Sequence, residues 1–317
     1  MNQGRTFFRI IMLIIGSTII ALLIGCKKNN KDPHTIELIP SFEEGFRLTG
    51  YDSRIKENHD IGRLDYGKKS EITDWRIGQW GCINNLLNAT HTKRGNTDIY
   101  FDGAKTLEID NDTGGFVLGI DGSKDFIGDR TEGQEWPHFI LEVMPFRNPV
   151  CVKDINFLEF YLEFELTKEV NKTTNFNPDL HTALFIWYIT LNDYGPDGRT
   201  RDYFWFGLPI YDYRHDFSPF FAQQDSGKED RTDKFIVNLA GDTFLSDIVG
   251  LNIPQYMHFD AYEALEEAYN LAVKRGFLKG TKFENMCIGS MYIGWELPGS
   301  FDVSMSVYNI SIKTGIK

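Results

Sequence analysis

The run "FLEFYLEFEL" at residues 157–166 alternates without a break: Leu158, Phe160, Leu162, Phe164 and Leu166 fall on one side, and Glu159, Tyr161, Glu163 and Glu165 on the other. Successive side chains of an extended backbone point to opposite faces. A period of two over ten residues is therefore a strand with one face in a core and one toward water. "HFILEVM" (138–144) repeats the pattern, with Phe139, Leu141 and Val143 opposite His138 and Glu142, and "FDVSMSV" (301–307) does so again. "LHTALFIWYITL" (180–191) and "MCIGSMYIGWEL" (286–297) are apolar on both faces and read as central strands. Asp-Gly and Gly-rich turns separate these runs, among them "FDGAK", "DNDTGG", "DGSKD" and "NDYGPDGRT".

One helix interrupts the strands. "DAYEALEEAYNLAVKRG" starts at Asp260 as N-cap with Glu263 three positions on, places Ala261, Ala264, Leu265, Ala268 and Ala272 on one stripe, and closes at Lys274, Arg275 and Gly276. Many closely spaced antiparallel strands and a lone helix over about 260–275 predict an all-β fold. The expected architecture is a jelly-roll-type antiparallel β-sandwich with one amphipathic helix.

The chain begins differently. Arg5 and Arg9 precede an apolar stretch from Ile10 to Ile24 that stops at "LLIGC". A short apolar run closing on small residues reads as a secretory signal, not a membrane span. The expected organisation is a signal peptide over 1–25, a flexible tether over 26–36 ("CKKNNKDP…"), an N-terminal arm or layer over 37–96, and the β-sandwich over 97–317. The charge balance is acidic, 33 Lys and Arg against 45 Asp and Glu. This argues against nucleic acid, and against anionic lipid as a partner of the folded body. Beyond Cys26, three cysteines remain, Cys82, Cys151 and Cys287, which allow at most one disulfide and leave one thiol.

"DYFWFGLPIYDYRHDF" (202–217) combines seven aromatic residues with charges and a histidine. Strand parity puts Phe204, Phe206, Leu208 and Ile210 in the core and Tyr203, Trp205, Gly207 and Tyr211 on the other face. On the neighbouring run His181, Phe185 and Trp187 lie opposite Leu184 and Ile186. A face of Trp, Tyr, His and scattered carboxylates is neither a plain solvated surface nor a core. Flat apolar bodies with polar edges suit the C–H patches and hydroxyls of a sugar ring. The expected ligand-binding set is His181, Trp187, Tyr203, Trp205, Tyr211, Asp212, Arg214, His215 and Glu296. The same aromatics could instead be packed beneath the N-terminal arm.

Carboxylates on the open faces (Glu142 beside His138, Glu159, Glu163, Glu296, and Asp212 near Arg214 and His215) leave a hydrolase or lyase open, since a glycosidase needs two facing carboxyl groups and a lyase needs a base and a neutraliser. No nucleophile elbow, zinc motif or phosphate-cradling Gly loop is present. No cofactor is expected. Calcium is the one metal that "DNDTGG" (110–115) and "NDYGPDG" (192–198) could serve, although both lack the full spacing of a calcium loop.

Three segments carry a resemblance: "EWPHFILE", "YFWFGLPIYDYR" and "GWELPGSFDVSMSVYNISI". With them the chain resembles the uncharacterised envelope lipoproteins of Bacteroidetes whose jelly-roll or lectin-like domains accompany glycan-uptake systems. "LLIGC" likewise resembles a bacterial lipobox, which implies cleavage before Cys26 and lipid on that residue. The resemblance implies a lipid-anchored protein of the outer membrane that binds polysaccharide or oligosaccharide and touches the membrane only through its lipid. It implies no catalytic residues. Lys27 and Lys28 stand where surface-bound members carry acidic residues, so the periplasmic side and the cell surface both stay open.

Overall fold

Alternating runs become strands because each can bury one face only against a second sheet. The computed structural model describes residues 35–52, 57–64, 73–125, 128–226 and 231–317. The predicted signal peptide, the lipidation site and nearly all of the predicted tether lie outside them. The eight-stranded sheet runs in the order β16 (Gln255–Asp260), β11 (Ile155–Asn171), β18 (Phe301–Ile316), β8 (Phe116–Asp121), β7 (Lys105–Asp110), β6 (Thr97–Phe101) and β5 (Thr90–Arg94), with β1 (Thr35–Glu37) also on β18. The ten-stranded sheet runs β14 (Phe221–Gln224), β15 (Phe235–Asn238), β13 (Thr200–Asp212), β12 (Leu184–Tyr194), β17 (Met286–Glu296), β9 (His138–Val143), β4 (Trp75–Gly78), β2 (Phe46–Asp52) and β3 (Glu57–Leu64), with β10 (Val150–Cys151) also on β17.

The protein is an all-β jelly-roll-type sandwich. The strand pairs β13/β15 and β2/β4 are parallel, and the other neighbours along the two sheet orders are antiparallel. Residues 37–96, expected as an arm or layer, supply β2, β3 and β4 to one sheet and β5 to the other. Ile36–Lys317 is one compact unit.

The inner faces meet as the alternation predicts. Leu158, Phe160, Leu162, Phe164 and Leu166 of β11 are buried against Phe204, Phe206, Leu208 and Ile210 of β13 in one core. Trp295 ties the layers together: its ring meets Phe185 edge-on at 5.0 Å, and its Nε1 donates to the Leu118 carbonyl of the opposite sheet at 2.8 Å. A fully buried ion pair, Lys105–Asp125 at 2.6 Å, fixes the turn after β4. Lys105 also donates to the Asn84 carbonyl, and Asp125 accepts from the Ile83 and Asn84 amides.

The helix α1 (Tyr262–Lys274) forms where predicted and buries Leu265, Ala268, Tyr269 and Ala272. Its start differs by one residue. Ala261 is the flanking position, and Asp260 caps from one residue earlier by accepting the Tyr262 amide at 3.0 Å. Cys151 and Cys287, directly opposite in the β10/β17 register, form a disulfide across a separation of 136 residues. Cys82 keeps its thiol, which burial pushes up to about 12.

Candidate functional site

The outer face of the ten-stranded sheet is assembled from cross-strand rows. One row reads Asp212, Leu184, Glu296 and His138 across β13, β12, β17 and β9. The next reads Ile186, Gly294, Ile140 and Gly78. A third reads Gly207, Tyr188, Tyr292, Glu142 and Arg76. Residues directly opposite one another on neighbouring strands share a face, and these rows lie on the side away from the core.

Here Ile140, Ile186, Tyr188 and Tyr292 form a second hydrophobic cluster, separate from the core, with Trp80, Trp205 and Ile236 packed against it. Tyr188, Tyr292 and Trp205 meet pairwise at 5.0, 5.7 and 5.8 Å between ring centres, and Tyr203 adds an edge contact to Trp205 at 5.9 Å. Gly207 lies under this cluster, where an added Cβ would strike the Tyr188 ring and Asn238. The missing side chain at Gly207 leaves room for the Tyr188 ring.

Glu296 stands at the tip of the cluster. Its Oε1 accepts from the Tyr292 hydroxyl at 2.7 Å, and its Oε2 lies 3.7 Å from His138 Nε2. His138 Nδ1 donates to the Trp136 carbonyl at 3.0 Å, which fixes the tautomer and leaves Nε2 facing the carboxylate. Trp136 stacks on His138, Trp80 tilts against it, and the Arg130 guanidinium sits 4.7 Å over the Trp136 ring. The Tyr188 and Tyr292 hydroxyls are pushed well above the ordinary tyrosine range, first by burial and then by the charges of Glu296 and Asp225. Both are therefore neutral hydrogen-bond donors. Asp225, beyond β14, accepts from the Thr232 amide and hydroxyl, and Thr232 in turn accepts from Trp205 Nε1 at 3.4 Å. Glu142 is buried deeper in the same face. Its carboxyl is raised by burial even though Arg76 pairs with it at 2.9 Å and the Thr49 hydroxyl donates to it at 3.3 Å.

The expected ligand set divides. Tyr203, Trp205 and Glu296 lie on this face. Trp187 does not: it is fully buried in the core, edge-on to Phe160 at 4.9 Å. Strand β12 has the alternation expected of it, but the inward side is Phe185, Trp187 and Ile189, and the outward side is Leu184, Ile186 and Tyr188. A strand apolar on both faces gives no signal for which phase points inward.

Tyr211 is also in the core, because Phe185 pairs with Tyr211 while Ile186 pairs with Pro209, a bulge that reverses parity beyond Ile210. The same bulge turns Asp212 outward, yet its carboxylate is taken up by Arg214 (Nε 2.9 Å, NH2 2.8 Å) and the Thr182 hydroxyl (2.7 Å). Burial alone would raise the Asp212 carboxyl, but these bonds outweigh it and hold it below the ordinary range.

His181 is buried. It accepts the Asn177 amide at Nδ1 and pairs with the Arg130 carbonyl at Nε2. His215 is exposed in the turn after β13, bridged to Asp212. Asp212, Arg214 and His181 thus tie loops together at one end of the face, and His215 is exposed beside them. Tyr188, Tyr292, Trp80 and Trp136 were not in the expected set; Gly207 and Gly294, small residues inside strand runs, were the available signal.

The two turns considered for calcium close on themselves. Asp110 accepts the Asp112 and Thr113 amides, and Asp197 accepts the Arg199 amide. Among the described residues no group of three or more His, Cys, Asp or Glu side chains could hold a metal ion.

The fold and this face define a class: a jelly-roll sandwich with an aromatic, carboxylate-bearing outer sheet face. No protein-family model matches the chain, and no curated protein does. Among solved structures it is similar to endoglucanase cel12A from Rhodothermus marinus, with 9% identity over 74% of this chain and 100% of that one, at a TM-score of 0.42. It is also similar to a native family 12 xyloglucanase from Bacillus licheniformis (9%, 73% and 98%, 0.40) and to the catalytic domain of Humicola grisea Cel12A (9%, 70% and 94%, 0.38). No residue role is carried over from them.

Proposed function

We propose that the outer face of the ten-stranded sheet binds a glycan chain, in a lipid-anchored envelope protein that serves polysaccharide uptake or degradation in a Bacteroidetes-type bacterium. The observation that carries this reading is the second aromatic cluster. Tyr188, Tyr292 and Trp205 pack together outside the core, with the Glu296 carboxylate and two neutral tyrosine hydroxyls at their edge. Tyr188 and Tyr292 are themselves buried and back the half-buried Trp205 and Tyr203, whose rings supply stacking area, while the Glu296 carboxylate supplies directional bonds to sugar hydroxyls. Calorimetry against a panel of polysaccharides tests it. Wild type should bind at least one, and Trp205→Ala should weaken that binding by about 1–3 kcal/mol. Binding unchanged in Trp205→Ala would overturn the assignment.

A second reading, glycoside hydrolysis, is favoured by one feature of the same face. Glu296 accepts from the Tyr292 hydroxyl with His138 Nε2 3.7 Å away, and a second carboxylate, Asp225, acts on the same two tyrosines. Release of reducing ends that disappears in Glu296→Gln while binding persists would make the protein an enzyme. Binding without release in wild type would leave it a binding protein. Lipidation is tested separately: Cys26→Ala should no longer incorporate labelled palmitate or partition with membranes.

A further inference from the structure

On the other layer, the outer face of β11, β16 and β18 carries tyrosines where a solvated strand ordinarily carries charged or small polar residues. Tyr256 is 66% exposed and Tyr308 47% exposed. Tyr256 lies opposite Glu163 across β16/β11, and Glu163 lies opposite Asn309 across β11/β18. The next pair is Phe164 with Val307, so Tyr308 is the extra residue of a bulge, and both it and Asn309 are exposed. Bulges re-aim side chains in this way. The Tyr161 hydroxyl donates to Glu163 and the Tyr308 hydroxyl to Glu165, which fixes the direction of both rings.

Beside Asn309 the surface falls into a cleft of about 390 Å³, lined by Glu37, Ser41, Glu43, Asn111, Asp112 and Asn309. That volume lies within the range of small-molecule sites.

We propose that this cleft and the neighbouring tyrosines form a second glycan-binding site that takes an uncharged oligosaccharide. Glu37 already accepts from the Ile39 and Ile312 amides and the Ser311 hydroxyl, and Asp112 from the Asn96 side chain, so these carboxylates act on a ligand through their charge, which repels an anionic sugar. Sugar hydroxyls both donate and accept, which suits the exposed Ser41 and Asn309, and the Tyr256 and Tyr308 rings offer flat area to C–H faces with little loss of side-chain freedom. The site stands on its own geometry; only the choice of ligand rests on the reading of the protein as a glycan binder.

Affinity electrophoresis through hydroxyethyl cellulose, laminarin, arabinoxylan, galactomannan and pullulan, with polygalacturonate as the anionic control, tests the proposal. Wild type should be retarded by at least one neutral polymer. Tyr256→Ala/Tyr308→Ala should weaken that retardation about tenfold, the loss of one anchoring contact. Asn309→Arg, an exposed change that fills the cleft, should do the same, and it stands in if the double variant fails to fold. Trp205→Ala should retain part of the retardation. If Trp205→Ala abolishes it while the tyrosine and Asn309 variants migrate as wild type, the second site is refuted and the first stands. Retardation by polygalacturonate alone refutes the uncharged ligand, and no retardation by any polymer refutes both sites.

Discussion

Replacing Trp187 and Trp205 one at a time by alanine separates core from platform. The two residues are in neighbouring strands and similar in sequence context, but their surroundings differ. Trp187 is fully buried between the sheets, and its truncation leaves a cavity that cannot close without moving both layers. Such changes cost about 3–5 kcal/mol. Trp205 lies on the outer face with three edge contacts, to Tyr188, Tyr203 and Tyr292. At about 0.5–1.5 kcal/mol each, and with water free to refill the site, roughly 2 kcal/mol is expected. Unfolding entropy of about 2.1 cal/mol/K per residue over about 280 residues gives about 0.6 kcal/mol per degree. The melting midpoint should therefore drop by about 7 °C for Trp187→Ala and about 3 °C for Trp205→Ala in differential scanning calorimetry. Only the second should weaken glycan binding in the folded state. Equal drops, or a larger one for Trp205→Ala, would refute the assignment of faces.

Lys105→Met should destabilise by about 3–5 kcal/mol in urea unfolding, because it strands the buried Asp125 carboxylate; Lys105→Met/Asp125→Leu should recover most of that. The depressed carboxyl of Asp212 gives stability that is present above its unfolded value near 3.9 and is lost as pH falls through the lower folded value. The stability gap between wild type and Arg214→Ala should accordingly be open at pH 6 and close in strong acid, and a pH-independent gap would count against the ion pair. Cys151→Ser/Cys287→Ser should lower stability by about 3–5 kcal/mol, since the bridge closes a loop of 136 residues, and unchanged unfolding would mean the bridge does not form in solution. Burial is the main cause of the raised Tyr188 and Tyr292 hydroxyls and the Glu296 charge adds to it, so Glu296→Gln, which keeps a hydrogen-bond acceptor for Tyr292, should let both tyrosines ionise at somewhat lower pH than in wild type in spectrophotometric titration.

The layer architecture was legible in the sequence because polar and apolar residues alternate along the strands. "FLEFYLEFEL" and "HFILEV" state their inward faces unaided, although the polar side of the second is buried too and not turned to water, and the helix follows from its cap, its alanine–leucine stripe and Gly276. The site was legible at Tyr203 and Trp205, which alternate with the core residues of β13, and at Glu296, the one charged residue at the end of β17. On β12 and β17 both faces are apolar, so composition cannot say which phase points inward; the second sheet decided it, by requiring Trp187 inside and leaving Tyr188 and Tyr292 outside. On β13 a single bulge reversed the parity and sent Tyr211 into the core, which no period-two reading can anticipate. The partners of Glu296 come from positions 292 and 138, and those of Asp125 from 105 and 83–84. The meeting of Glu296 with His138 is set by strand register, which is a property of the folded sheets, not of any one segment.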